Sequence, residues 1–350
     1  VIVIGALDIP QCKKYRVMQK VEYFSALSIP CEYTEYRDLT RAFSGMQLAT
    51  VAILYRVPMG LEYEALKQEA ARLGLPLYYD IDDPIFDEAT YRDNRNLDVL
   101  SAREREHLLA QIPGYKRVME DVGRVIVSTT GMSERVRSAT NVDTVIVWPN
   151  LIDSATQNIF EQLPPRNTGA REHIALGYFS GSRAHDLDLD LVAGVLAKLL
   201  QSDSRLQLYL GGYTSLPASL SDLGDRITFL GFMSYHAYLE HLAAMDIHIV
   251  PLLIDRFNAC KSGIRYLEAS MCTVPTVASS VGQFTEMIED GVTGFLCNTP
   301  EDWQQALTEL TENPQRRLEM AQAARRSVLA SYSLSNERYN TLAGDIIDVA

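Results

Sequence analysis

The chain has 350 residues, 47% hydrophobic and 22% charged, with a net charge of −13. That length predicts about two domains, each large enough for its own core. The composition excludes a membrane-spanning helix, since no apolar run reaches about 18 residues, and the acidity excludes non-specific nucleic-acid binding, which needs basic surface.

Charge is uneven along the chain. Residues 1–150 carry 18 basic and 21 acidic side chains, and residues 151–350 carry 14 and 24, leaving −3 and −10. A near-neutral first half leaves room there for an anionic or membrane-linked acceptor. Cys12, Cys31, Cys260, Cys272 and Cys297 are scattered without a C-x-x-C pair, and the six histidines form no ligand spacing. Reduced thiols in a cytoplasmic protein, and no metal site, are therefore expected. The chain opens on Val1 without a charged-then-apolar leader, and its native start is expected upstream.

In chain order, Val1-Ile2-Val3-Ile4-Gly5 predicts a buried strand. A loop over Ala6–Lys14 and a helix over Tyr15–Leu27 follow. Strand patterns recur at 31–37, 50–57 and 75–81, with a helix over Leu61–Arg72 closed by Gly74. Alternating strands and helices predict a parallel sheet covered on both faces. The third of these strands runs into Asp80-Ile81-Asp82-Asp83, at the strand end where open α/β sheets bind ligands. Asp82 and Asp83 could accept hydrogen bonds from a sugar, act as a base or hold a metal; a helix cap in a solvated loop is the plainer alternative.

Helices are predicted over Ala102–Ile112, Tyr115–Glu120 and Met132–Arg137, and strands over Arg124–Thr129 and Val145–Asn150. About twenty polar, proline-bearing residues then form a predicted linker. Ile174–Ser180 is a strand feeding Gly181-Ser182-Arg183-Ala184-His185, where small residues allow close backbone approach and Arg183 offers a forked cation. Further strands are predicted over Leu206–Gly212, Arg226–Gly231 and Ile247–Pro251. Helices are predicted over Tyr235–Met245, Glu301–Leu310, Gln315–Ala330 and Asn336–Ile347. His248 alternates within an apolar strand, the setting of a core histidine.

The most informative stretch is Phe257–Phe295. There Lys261-Ser262-Gly263 forms a turn opening a helix, which sets a cation beside unpaired backbone N–H groups. Glu268 lies one turn deeper, and its carboxylate could accept from two vicinal hydroxyls. A phosphate site backed by a hydroxyl-binding carboxylate suits a nucleoside diphosphate.

Lys261-Ser262 through Leu267-Glu268-Ala269, Val274-Pro275-Thr276-Val277-Ala278-Ser279 and Asp290-Gly291-Val292-Thr293-Gly294-Phe295 resemble the donor signature of glycosyltransferase family 4. Asp80-Ile81-Asp82-Asp83 and Pro149-Asn150 with Ile152-Asp153 resemble further segments of that family. The resemblance implies the GT-B fold: two Rossmann-like domains, over 1–155 and 170–335, facing a cleft, with 336–350 packing back towards the first. It implies a retaining transferase that moves a sugar, most readily from a UDP-sugar, to a sugar or lipid-linked sugar acceptor. The expected setting is polysaccharide or glycoconjugate biosynthesis in the cytoplasm or at the inner membrane face.

By the same resemblance, the diphosphate would meet Gly181, Ser182, Arg183, His185, Lys261, Ser262 and Gly263. The base would lie beside Phe232 and Met233, the ribose on Glu268, and the sugar or acceptor near Asp82 and Asp83. The family's first motif glutamate falls at Cys260, which departs from the pattern. A sugar-nucleotide epimerase of the same fold and a non-catalytic nucleotide-sugar-binding protein are the alternatives. The Val1–Gly5 strand leads into no G-x-G-x-x-G, which argues against a dinucleotide oxidoreductase.

Overall fold

The computed structural model describes residues 1–163, 173–181 and 186–347. Six short strands build the first sheet: β1 (Ile2–Gly5), β2 (Glu32–Glu35), β3 (Ala52–Tyr55), β4 (Leu77–Ile81), β5 (Arg124–Val127) and β6 (Thr144–Val147). All pair in parallel, in the order β2-β1-β3-β4-β5-β6. The strands β1 and β3 are continuous apolar runs because helices cover both faces, and every residue of both is buried. Ile4, Leu54, Tyr79 and Val127 pack on one face, and Val3, Ile53, Tyr78 and Ile126 on the other.

The second sheet repeats the plan with β7 (Ile174–Ser180), β8 (Leu206–Gly212), β9 (Ile227–Gly231), β10 (Ile247–Val250), β11 (Thr276–Ser279) and β12 (Phe295–Cys297). It is also parallel, in the order β12-β11-β10-β7-β8-β9. The expected two-domain α/β architecture is thus observed. Strand order reverses between β1 and β3 in one sheet and between β7 and β10 in the other. Those reversals open crevices at the carboxyl ends of the strands.

The chain crosses between the sheets twice, and the crossings are tied together. Ile152 N–H donates to Tyr332 O at 2.8 Å, and Leu334 N–H donates to Ile152 O at 3.0 Å. Past this point the short helix Thr341–Ile347 buries Leu342, Ala343 and Ile346 against Val3, Phe24 and Trp148 of the first domain.

Three local expectations are corrected. Residues 102–122 form one helix, not two, although Pro113 lies inside it. The proline sits on the exposed side, while Ile112, Val118 and Met119 bury the opposite face and carry the helix through. Its start is fixed by a reciprocal capping box of Ser101 and Glu104. The expected linker begins as a helix, Ser154–Gln162, because Asp153 caps it by accepting from Thr156 N–H at 2.7 Å. Finally, Pro10–Cys12 is helical and Lys13–Met18 continues as a π-helix, where a loop is expected up to Lys14. Such wide turns recur at functional sites.

Candidate active site

Arg56 immediately follows β3, at the reversal point of the first sheet. Its backbone is left-handed, with φ of 48°, a strained conformation for a residue with a side chain. Its guanidinium bridges the two carboxylates that follow β4: Nε donates to Asp82 Oδ1 at 2.6 Å and Nη2 to Asp83 Oδ2 at 2.5 Å. Tyr55 Oη adds a hydrogen bond to Asp82 at 3.0 Å. The other oxygen of Asp83 accepts from Lys261 Nζ at 2.7 Å, across the domain boundary. Burial pushes the Asp83 carboxyl up, but Lys261 and Arg56 outweigh it and hold the group well below its ordinary value.

Lys261 ends a 3-10 turn over Asn258–Cys260, and Gly263 caps the helix Ile264–Met271. The helix start that the sequence predicts is therefore formed. Gly263 N–H already has a partner, donating to Gln283 Oε1 at 2.9 Å. Ser262 Oγ accepts from Asn150 Nδ2 at 3.0 Å. Asn150 in turn accepts from Arg16, which pairs with Asp80 through Nε and Nη2, each at 2.9 Å. A relay thus runs from the buried charge of the first domain to the helix start of the second. Lys20 completes it, 2.5 Å from Asp80, with all three side chains excluded from solvent.

Glu268 is only 3% exposed. Its two oxygens accept from tyrosine hydroxyls, Tyr15 at 2.6 Å and Tyr238 at 2.8 Å. Burial raises the Glu268 carboxyl while these hydrogen bonds draw it down, and the balance is upward. Tyr15 comes from the π-helix of the first domain and also lies 3.2 Å, oxygen to oxygen, from Tyr235. Beside it, Lys14 donates to Asp153 at 2.5 Å and to Thr156 at 2.6 Å, with its ammonium 4.9 Å from the Tyr235 ring centroid.

The structure thus brings Lys261, Ser262 and Gly263 to one edge of the cleft, opposite Asp82 and Asp83, with Glu268 behind them. Gly181 closes another edge: a Cβ there would come within 3.2 Å of the Gln11 side chain. Ser182, Arg183 and His185 lie outside the described residues. Phe232 and Met233 follow β9, on the second domain. Phe232 is 57% exposed and stacks on Tyr213, with ring centroids 4.9 Å apart. Cys260 is buried; its backbone carbonyl accepts from Thr129 Oγ1 at 3.0 Å, and burial pushes its thiol up to about 12. His248 is a core residue, its ring nitrogens without a hydrogen-bond partner among the described residues and its pKa lowered to about 3 by burial.

Sequence reasoning misses Tyr15, Arg56, Tyr235 and Tyr238. Each contact joins separate elements, 26 residues apart for Arg56 and Asp82, 30 for Tyr238 and Glu268, and 253 for Tyr15 and Glu268. Arg56 leaves one faint trace, a charged residue at the end of an apolar strand. Among the described residues, no group of three or more His, Cys, Asp or Glu is arranged to hold a metal ion, and no helix is long and apolar enough to cross a membrane.

Two Rossmann-like sheets with facing carboxyl ends, and polar groups of both domains converging between them, define a GT-B architecture. The solved structures it resembles include HepE of Anabaena in complex with UDP, with a TM-score of 0.68, 14% identity and coverage of 100% of this chain and 99% of that one. Sucrose-phosphate synthase of Thermosynechococcus elongatus is similar, with a TM-score of 0.70, 14% identity and the same coverage. At that identity the likeness establishes the fold. Residues 175–313, within the second domain, match the family described as Glycosyl transferases group 1. Curated relatives include the D-inositol 3-phosphate glycosyltransferase of Kineococcus radiotolerans, 28% identical over 250 residues, covering 62% of this chain and 56% of the relative. That of Rhodococcus jostii is 25% identical over 282 residues, covering 70% and 60%. The chain spans little more than half the length of these relatives.

Proposed function

We propose that the protein is a retaining glycosyltransferase that moves a sugar from a nucleoside diphosphate sugar to a hydroxyl acceptor. The carrying observation is the convergence, at one cleft edge, of the Lys261 ammonium, a helix start and the buried Glu268 carboxylate. A diphosphate needs a cation and N–H donors, and a ribose needs an acceptor for its hydroxyls. UDP is the favoured nucleotide, because the similarly folded HepE has been solved with UDP and with UDP-glucose.

In this reading the second domain holds the donor and the first the sugar or lipid-linked sugar acceptor, which would approach Asp82 and Asp83. As the glycosidic bond breaks, negative charge grows on the departing diphosphate. Lys261 and the Ser262 N–H stabilise that charge, the Gly263 N–H joining them only on leaving Gln283, with Arg183 and His185 assigned to the same phosphates by the family resemblance. A fixed cation in a water-poor cleft is most effective there, since it needs no reorganisation as the charge develops. Glu268 holds the ribose and fixes register. The acceptor attacks from the face that the diphosphate leaves, and the leaving phosphate takes its proton. The reaction proceeds without a metal ion in this account, and the Arg56 bridge between Asp82 and Asp83 supports that reading by filling the space between the two carboxylates.

The test is transfer from a panel of UDP-sugars to sugar acceptors, followed by NMR with and without EDTA. The expected product keeps the donor's anomeric configuration, at an unchanged rate under chelation. Inversion of configuration would overturn the retaining assignment. Loss of turnover with EDTA, restored by magnesium, would make Asp82 and Asp83 metal ligands. An epimerised sugar formed from donor alone would replace transfer by epimerisation.

A further inference from the structure

The groups assigned to the donor already hold ligands, and the two decisive ones come from the first domain. At Glu268 the ligand is a hydroxyl, Tyr15 Oη, at 2.6 Å. At Lys261 it is an anion, the Asp83 carboxylate, at 2.7 Å. A hydroxyl rests on the carboxylate assigned to ribose, and a carboxylate rests on the cation assigned to phosphate. Two chemically different anchors are each met by the functional group they would meet in a nucleoside diphosphate.

We propose that the first domain is a built-in competitor for the donor, with Tyr15 standing in for a ribose hydroxyl and Asp83 for a phosphate. This rests on the donor site proposed above. Tyr15 is 4% exposed and Glu268 3%, so a ribose reaches Glu268 only after Tyr15 has left it. Tyr238 belongs to the same domain as Glu268 and can stay. Departure of Tyr15 and Asp83 means parting the domains at the cleft. The contacts that break include Thr129 Oγ1 to Cys260 O, Asn150 to Ser262, Asn96 to Asp188, the Tyr91–Phe257 ring contact, and the close seating of Gly131, where a Cβ would stand 2.3 Å from Ala259 O. The paired crossings at Ile152, Tyr332 and Leu334 lie at the hinge and can persist.

A self-held state of this kind weakens the apparent donor affinity by the fraction of molecules in which the site is free. Removing the mimic therefore tightens binding. Titration calorimetry of the full chain with UDP is the test, on the parent, Tyr15→Phe, Asp83→Asn, Glu268→Ala and Tyr15→Phe/Glu268→Ala. Tyr15→Phe keeps the ring and its packing but deletes the hydroxyl, and is expected to bind UDP about tenfold tighter, the scale of one hydrogen bond to a charged group. Asp83→Asn, which releases Lys261, is expected to tighten binding in the same direction and provides the reading if Tyr15→Phe does not fold. Unchanged or weaker UDP binding by the folded variants, with Glu268→Ala still weakened relative to parent, overturns the competitor and leaves the donor site standing. Parent without UDP affinity, or Tyr15→Phe/Glu268→Ala binding as well as Tyr15→Phe, overturns the donor site and the competitor together.

Discussion

Lys261 Nζ and Asp83 Oδ1 lie 2.7 Å apart, one from each domain, and this pair joins the proposed donor site to the proposed acceptor side. Both side chains retain some exposure, 25% and 22%, so the pair sits at the lip of the cleft. A cation held there can exchange one anionic partner for another without first being desolvated from bulk water.

If Lys261 exchanges Asp83 for the leaving diphosphate, its value is greatest in the transition state, where charge is still growing. Lys261→Met is expected to lower kcat by about 10²–10³, the usual loss for one preorganised donor, while KM for the donor changes less. Steady-state kinetics checks this. A kcat within about threefold of parent, less than about 1 kcal/mol, would remove Lys261 from the chemistry.

In the Tyr15→Phe background, where no competing hydroxyl rests on the carboxylate, Glu268→Ala is expected to weaken nucleotide binding by about 1.5–3 kcal/mol, the range for hydrogen bonds to a charged group. Its signature is selective: a 2′,3′-dideoxy nucleotide, lacking the hydroxyls, should barely distinguish Tyr15→Phe/Glu268→Ala from Tyr15→Phe. Equal losses with both nucleotides would point to a disturbed fold instead.

Much of this site was legible in the residues, and its limits are physical. Lys261-Ser262-Gly263 signals a helix start because that chemistry is local, and Glu268 is fixed relative to it by helical spacing. The strands β1 and β3 were legible because doubly covered strands are apolar runs. Tyr15 was not, since a tyrosine near a helix start carries no sign of the carboxylate it will meet 253 residues later. The π-helix that aims it is equally silent, differing from the α-helix that follows by its hydrogen-bond pattern rather than by composition. Asp80 reads as part of an acidic run with Asp82 and Asp83, yet it is buried under Arg16 and Lys20 while its neighbours face the cleft. Asp80 lies inside β4, whereas Asp82 and Asp83 follow its end at Ile81; the partners of Asp80 come from a helix whose face the pattern leaves open.

That burial makes Asp80 a structural charge. Asp80→Ala leaves the Arg16 and Lys20 cations with no facing carboxylate in the solvent-excluded core, and breaking such a pair costs about 3–5 kcal/mol. Urea denaturation should show this loss with a correspondingly lower midpoint. A loss under about 1 kcal/mol would mean that water reaches the cluster.

Lys20 gives the cluster a pH signature. Burial, with Arg16 alongside, lowers its pKa to about 8 from an ordinary 10.5, despite the pull of Asp80. Between those values the unfolded chain binds more protons than the folded one, so this group adds stability as pH rises from about 8 towards about 10.5 and withdraws it as pH falls back. Lys20→Met should therefore flatten that part of the parent's stability curve. Identical slopes for parent and variant between pH 8 and 10 would show that Lys20 titrates normally.

The most direct measurement is a crystal structure with a UDP-sugar bound. The account predicts the diphosphate at the start of the helix Ile264–Met271 within hydrogen-bond reach of Lys261 Nζ, the ribose hydroxyls on Glu268, and Tyr15 displaced from that carboxylate. A nucleotide bound elsewhere, with the Tyr15–Glu268 and Lys261–Asp83 contacts intact, would contradict it.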